Sequence, residues 1–231
     1  MSLAIVYTRA ALGIEAPLIT VEVHLSNGLP GLTMVGLPET TVKEARDRVR
    51  SALINSGYAF PAKKITINLA PADLPKEGGR YDLPIALALL VASEQLNTTR
   101  LNQYEFVGEL ALTGGLRGVP GAIPSAMEAI KAGRRIVVSS DNAAEVGLIG
   151  GSDCLVADHL QEVCAFLAGQ TSLSPPLAEA PARDERYEDL LDVIGQQQGK
   201  RALEIVAAGG HNLLLIGPPG TGKTMLASRL P

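Results

Sequence analysis

Apolar and polar positions along residues 3–167 switch repeatedly between a period of two and a period of three to four. "LAIVYTRA" and "LITVEVHLS" are short, β-branched and alternating, which predicts strands. "GLPGLTMVGLP" sets a further strand, Leu32 to Val35, between glycines and prolines. The period then lengthens. Val42, Ala45, Val49, Ala52 and Leu53 fall on one stripe of a helix. Thr41 and Glu44 have capping-box spacing at its start, and Gly57 stands where a left-handed residue would close it. The opposite face carries Lys43, Arg46, Asp47, Arg48 and Arg50, which reads either as a solvated face or as a contact surface for nucleic acid or a partner.

Ile65, Ile67 and Leu69 alternate as a strand with one face inward, followed by a loop from Pro71 to Arg80 dense in proline, glycine and charge. Asp82 is placed to cap an apolar helix, Pro84 to Gln95, with proline in its first turn. That helix is apolar on most sides, which predicts deep burial. "YEFVGELALTGGLRGVPGA" reads as two short strands around a glycine turn. A helix from Ser125 to Ala132, the strand "RRIVVSS" and a strand–helix pair ending near Leu167 follow. Gln170 to Glu188 has no apolar period and reads as a linker. A turn and a helix come next, then "HNLLLIG", expected as a buried strand.

That strand would deliver Gly217-Pro218-Pro219-Gly220-Thr221-Gly222-Lys223-Thr224, which meets the Walker A pattern in full. Glycines allow the backbone to wrap a phosphate, and the following helix start favours an anion. The pattern assigns Lys223 to the β- and γ-phosphates of ATP and Thr224 to Mg²⁺. The chain ends seven residues beyond Thr224. Hydrolysis also needs an acidic residue for Mg²⁺ and water. The expectation is therefore the front piece of a larger ATPase, with weak nucleotide affinity and no turnover of its own.

Composition narrows the rest. Hydrophobic residues make up 46% and aromatics 3%, so the core is built from Ala, Leu, Ile and Val, as suits an α/β protein. A net charge of −4 gives no global attraction to nucleic acid, which leaves only a local basic patch for that role. No apolar run reaches the roughly 18–20 residues of a membrane span, and the first sixteen residues lack the pattern of a secretory signal. Cys154 and Cys164 read as buried thiols in a cytoplasmic protein, and His24, His159 and His211 have no metal-ligand spacing.

The stretches "GLPGLTMVGLPETTVKEARDRVRSAL", "KKITINLAPADLPKEGGRYDLPIALALL", "VGELALTGGLRGVPGA" and "DLLDVIGQQQGKRALEIVAAGGHNLLLIGPPGTGKTMLA" resemble the YifB/ComM family of magnesium-chelatase-like AAA+ ATPases over essentially the whole chain. The resemblance implies an α/β fold similar to ribosomal protein S5 domain 2 and the Lon protease domain over residues 1–169. A linker over 170–188 and the start of an AAA+ module over 189–231 follow. It implies a hexameric, ATP-driven DNA branch-migration motor, with Val193, Ile194 and Gly195 beside the adenine. A Lon-like Ser–Lys protease is argued against: Arg80 stands where the serine would be, and the lysine position falls near Ile123. Metal chelation finds no ligand cluster. The loop residues Lys76, Glu77, Arg80 and Asp82 read either as an interaction surface or as a salt-bridged surface loop. The rival to the motor is a non-enzymatic oligomerisation or docking module with a vestigial nucleotide loop.

Overall fold

The structure is a computed structural model that describes residues 3–36, 44–149, 153–176 and 188–230. The chain forms two compact units, residues 1–179 and 180–231. In chain order the first holds β1 (Leu3–Arg9), β2 (Leu18–Ser26), β3 (Gly31–Val35), α1 (Ala45–Asn55), β4 (Lys64–Ala70), α2 (Asp82–Ala92), β5 (Tyr104–Phe106), β6 (Glu109–Leu110), β7 (Leu116–Arg117), α3 (Ala122–Lys131), β8 (Arg135–Ser139), α4 (Ala143–Gly147), β9 (Cys154–Ala157) and α5 (Leu160–Leu167). The second holds α6 (Gln197–Gly209) and α7 (Lys223–Ala227).

Seven strands make one mixed sheet in the order β3-β4-β2-β1-β5-β8-β9. β1, β2 and β4 pair antiparallel, while β3 joins β4, and β5, β8 and β9 join β1, in parallel. The two halves of the sheet are covered differently, as their strand directions require. In β2 and β4 buried and part-exposed residues alternate, so one face meets the core. In β8, Val137 belongs to the large core while its neighbours Ile136 and Val138 belong to a second cluster with Ala122, Ala126 and Ala129 of α3. Successive side chains point to opposite faces, so the parallel end is packed on both. A separate two-stranded ribbon, β6–β7, turns through Gly114 and Gly115.

α2 is buried along almost its whole circumference and packs on β1, β2 and α1. It begins two residues earlier than the apolar run suggests and stops at Ala92. Ser93 donates its hydroxyl to the Leu89 carbonyl, and Glu94 turns left-handed at φ 63°. Asp82 is not a cap. It lies in the first turn, fully buried, and accepts from Arg48 and from the Leu110 amide. α1 buries Ala45, Val49, Ala52 and Leu53 as its stripe predicts, and Gly57 closes it at φ 83°. Thr41, Val42 and Lys43 lie outside the described residues, so the capping box is not seen.

Two expectations change. Of the residues read as a surface in and beside the Pro71–Arg80 loop, Lys76, Arg80 and Asp82 are buried, and Glu77 alone is exposed. The stretch His211–Gly217 is not a buried strand. Among the described residues it pairs with no other strand, and Leu214 and Ile216 are exposed. A strand is stable only with a ladder partner and covered faces; among the described residues these have no ladder partner, and only Leu215 packs against other apolar side chains. Farther back, Ser174 bridges Val156 and Leu173 packs on the large core, so the stretch read as a linker begins on the edge of the sheet.

Candidate nucleotide site

The second unit is organised by a small apolar cluster. Val193, Leu203 of α6 and Leu226 of α7 are buried together, with Leu190, Leu215 and Leu230 against them. This cluster carries the turn ahead of α6 and the loop ahead of α7 on one support. Arg229 clamps the support from behind. Its Nε donates to the Asp189 carbonyl at 2.9 Å, and its Nη1 donates to the Met225 carbonyl at 2.7 Å and pairs with Glu188 at 2.9 Å. Ser228 donates to the Glu188 carboxylate as well.

On that support the loop from Gly217 to Thr224 is folded back on its own lysine. Lys223 Nζ donates to the carbonyls of Gly217 at 2.9 Å and Pro218 at 2.7 Å. Thr221 donates its hydroxyl to the Pro218 carbonyl at 2.9 Å. Gly220 and Gly222 have φ of 78° and 82°, and Gly222 is the left-handed residue from which α7 starts. L-residues with a Cβ avoid that region, which explains glycine at both positions. The Lys223 ammonium thus sits at the mouth of a backbone ring, with Thr224 exposed in the first turn of the helix. Three ammonium donors with two resting on carbonyls, beside an exposed hydroxyl, are a donor set that suits a polyphosphate and its Mg²⁺. ATP held here would supply a charged phosphate chain for Lys223 and a metal ligand position for Thr224.

The residues expected beside the base divide. Val193 is buried in the cluster, Ile194 is 97% exposed, and Gly195 has φ 75°. Their successor makes the connection to the loop. Gln196, itself left-handed at φ 53°, donates Nε2 to the Thr221 carbonyl at 3.2 Å. The turn at 193–196 is therefore tied to the phosphate loop. Gln196 ends the segment the resemblance places beside the base but is given no role there, and Arg229 is not singled out, because a lone amide and a late arginine carry no pattern.

In the first unit Arg80, which the resemblance places where a serine nucleophile would stand, is bonded to backbone carbonyls. Arg80 Nη1 donates to the Arg9 carbonyl at 3.2 Å and Nη2 to the Pro120 carbonyl, and burial pushes its pKa down. The guanidinium is thus held between the Arg9 and Pro120 carbonyls, the latter three residues short of Ile123 in the chain. Lys76 Nζ is held by the carbonyls of Pro71 and Leu74, and burial lowers its pKa. Ser125 donates to the Gly121 carbonyl. Among the described residues no serine hydroxyl bonds a lysine, and no group of His, Cys, Asp and Glu could hold a metal ion. Both cysteines are buried free thiols, Cys164 with its pKa pushed up to about 11 by burial. Among the described residues no helix is long and apolar enough to cross a membrane.

Comparison with known proteins matches two stretches of the chain to one family. Residues 21–142 match the family of subunit ChlI of Mg-chelatase, and residues 189–231 match a second pattern of magnesium chelatase subunit ChlI. The whole chain is 77% identical to the YifB protein of Salmonella typhimurium and 75% identical to that of Escherichia coli, in each case over 230 residues. It is 59% identical over 237 residues to the competence protein ComM of Haemophilus influenzae. All of this chain is covered each time, against 46% of each relative, so the chain spans about half the length of the curated relatives it matches.

Proposed function

The chain belongs to the family of the magnesium-chelatase subunit ChlI, and from that premise we propose that it is the nucleotide-binding front half of an ATP-driven, DNA-remodelling motor. The observation that carries the reading is the loop from Gly217 to Thr224, whose lysine is gathered onto its own carbonyls beside a helix start. Lys223 takes the β- and γ-phosphates of ATP, Thr224 takes Mg²⁺, and the tied turn at Val193, Ile194 and Gly195 lies on the base side. Residues 1–169 form a domain of the ribosomal-protein-S5-domain-2 type, 170–188 connect, and 189–231 begin the AAA+ module. The mixed sheet with its parallel end is compatible with that assignment.

The working form is a cytoplasmic homohexamer that migrates DNA branches. The likeness to a protein named for competence supports DNA as the substrate. Turnover is assigned to a polypeptide of the relatives' full length, and binding without turnover to residues 1–231. Peptide hydrolysis is left out of the proposal, because the resemblance puts Arg80 where a protease would need its serine.

A fluorescent ATP analogue tests the site. Residues 1–231 bind it in the presence of Mg²⁺, and Lys223→Ala reduces the affinity at least about tenfold, as loss of a charge-assisted contact requires. Unchanged affinity in Lys223→Ala would remove the nucleotide reading. A full-length hexamer that hydrolyses ATP at the same rate with and without branched DNA would remove the motor.

A further inference from the structure

We propose that the groove between β3, α1 and the Phe60–Lys63 turn is a binding site for single-stranded nucleic acid. The groove encloses about 470 Å³ and is lined by Arg46, Asp47, Arg50, Phe60 and Lys63 over a floor that includes the buried Ile65. Three cations meet one carboxylate there, in a chain whose net charge is −4. Asp47 takes two hydrogen bonds from Arg46, but both side chains are largely exposed, so the pair is weak and a phosphate can compete with it. Glu94 is the further acid within electrostatic reach of Lys63.

Charge alone would suit any anion; the platform selects among them. The Arg50 guanidinium lies 4.9 Å from the centroid of the Phe60 ring. Phe60 is half-buried and packs on the large core, so the ring is fixed from behind while Arg50 stays exposed. A flat cation backed by an aromatic ring is a surface on which an unstacked base can lie. An acidic peptide would use the cations and leave the platform idle. A duplex offers base edges in its grooves and keeps its base faces stacked, so it would not use the platform either. A base on Arg50 with flanking phosphates at Arg46 and Lys63 uses every feature of the groove. The site rests on the reading that the protein handles DNA, and it specifies where displaced strand would touch the first unit.

The test is fluorescence anisotropy of a labelled oligothymidylate of about twenty nucleotides with residues 1–231, from about 50 to 200 mM salt. Saturable binding is expected. In Arg46→Gln/Lys63→Gln, which removes both phosphate-binding cations, affinity falls at least about tenfold, and the slope of log affinity on log salt becomes shallower by roughly 1.4, since each single-strand phosphate contact contributes about 0.7. Phe60→Leu keeps apolar volume and weakens binding about fivefold or more with the slope unchanged, the mark of a lost stack. Thermal melts within a few degrees of the parent establish that the variants fold.

Equal affinity and slope in the double variant would overturn the site while leaving DNA binding by the protein intact. No saturable binding by the parent would overturn the site too. If sedimentation shows the double variant to change self-association while its oligonucleotide affinity matches the parent, the groove is a subunit contact and the proposal is wrong. Binding of the fluorescent ATP analogue, measured on the same samples, reports separately on the Lys223 loop and is expected not to change.

Discussion

Arg48 grips the carboxylate of Asp82 across two helices, Nε to Oδ2 at 2.7 Å and Nη2 to Oδ1 at 3.1 Å. The acid is fully buried, the arginine only partly. The Leu110 amide gives the acid a third donor at 3.2 Å. One pair thus joins α1, α2 and the β6–β7 ribbon. Burial nevertheless wins over the pairing and pushes the Asp82 pKa up to about 6 from 3.8.

That balance predicts a pH-dependent cost for Arg48→Gln. An acid whose folded pKa exceeds its unfolded one binds more protons in the fold, so its contribution to stability falls as pH rises from about 4 to 6. Without Arg48 the folded pKa rises further and the decline continues above pH 6. Urea unfolding should show the variant less stable by about 3 kcal/mol at pH 8, with the deficit shrinking toward pH 5 as Asp82 takes a proton. A deficit that does not vary with pH would mean Asp82 is not the buried charge at issue.

Glu105 on β5 makes a second prediction. It is fully buried and holds Arg9 through two hydrogen bonds, at 2.6 and 2.7 Å, and Arg134 at 2.9 Å. Arg134 also lies over the Tyr7 ring. Glu105→Gln keeps the shape but leaves a nearly buried guanidinium without its counter-charge. The expected loss is about 3–5 kcal/mol in chemical denaturation. Because Glu105 is shielded from solvent, adding salt to the parent should do little to mimic the loss.

These two pairs mark the boundary of what is legible in the chain. Alternation at Ile65, Ile67 and Leu69 announces a half-buried strand, since the period of two follows from local geometry and the core face of β4 has only to be apolar. The all-apolar run of α2 announces its burial for the same reason. Arg48, Lys76, Arg80 and Asp82 mislead, because a charged residue reads as surface until its partner is known, and Arg48 and Asp82 are far apart in the chain. His211–Gly217 misleads in the opposite sense: apolar content suggests a strand, but pairing is a property of neighbours. In the candidate site, the loop itself is legible from its glycines and Lys223, whereas the contact from Gln196 emerges only when the two segments meet.

Gly36 at the end of β3 carries a prediction about backbone approach. Its φ is 97°, and a Cβ there would stand 2.1 Å from the Leu69 carbonyl oxygen of β4 and 2.8 Å from its carbon. Those atoms are backbone and cannot swing aside. Gly57, at φ 83°, has open space around its missing Cβ. Gly57→Ala should therefore cost only about 1 kcal/mol of left-handed strain. Gly36→Ala should cost at least about 2 kcal/mol more by urea unfolding, as clash adds to strain. Equal costs would show that β3 moves away from β4 freely.

Gln196 supplies the last prediction, aimed at the loop rather than the fold. Its Nε2 ties the turn at 193–196 to the Thr221 carbonyl. Gln196→Leu removes that donor, and a single neutral hydrogen bond contributes about 1 kcal/mol, equivalent to roughly fivefold in affinity. The fluorescent ATP analogue should bind the variant about fivefold more weakly. The first unit contains neither partner of this bond, so its unfolding transition should stay where it is. Affinity equal to the parent would mean that the turn does not hold the loop in its binding shape. A shifted transition of the first unit would mean that the amide acts on the fold at large.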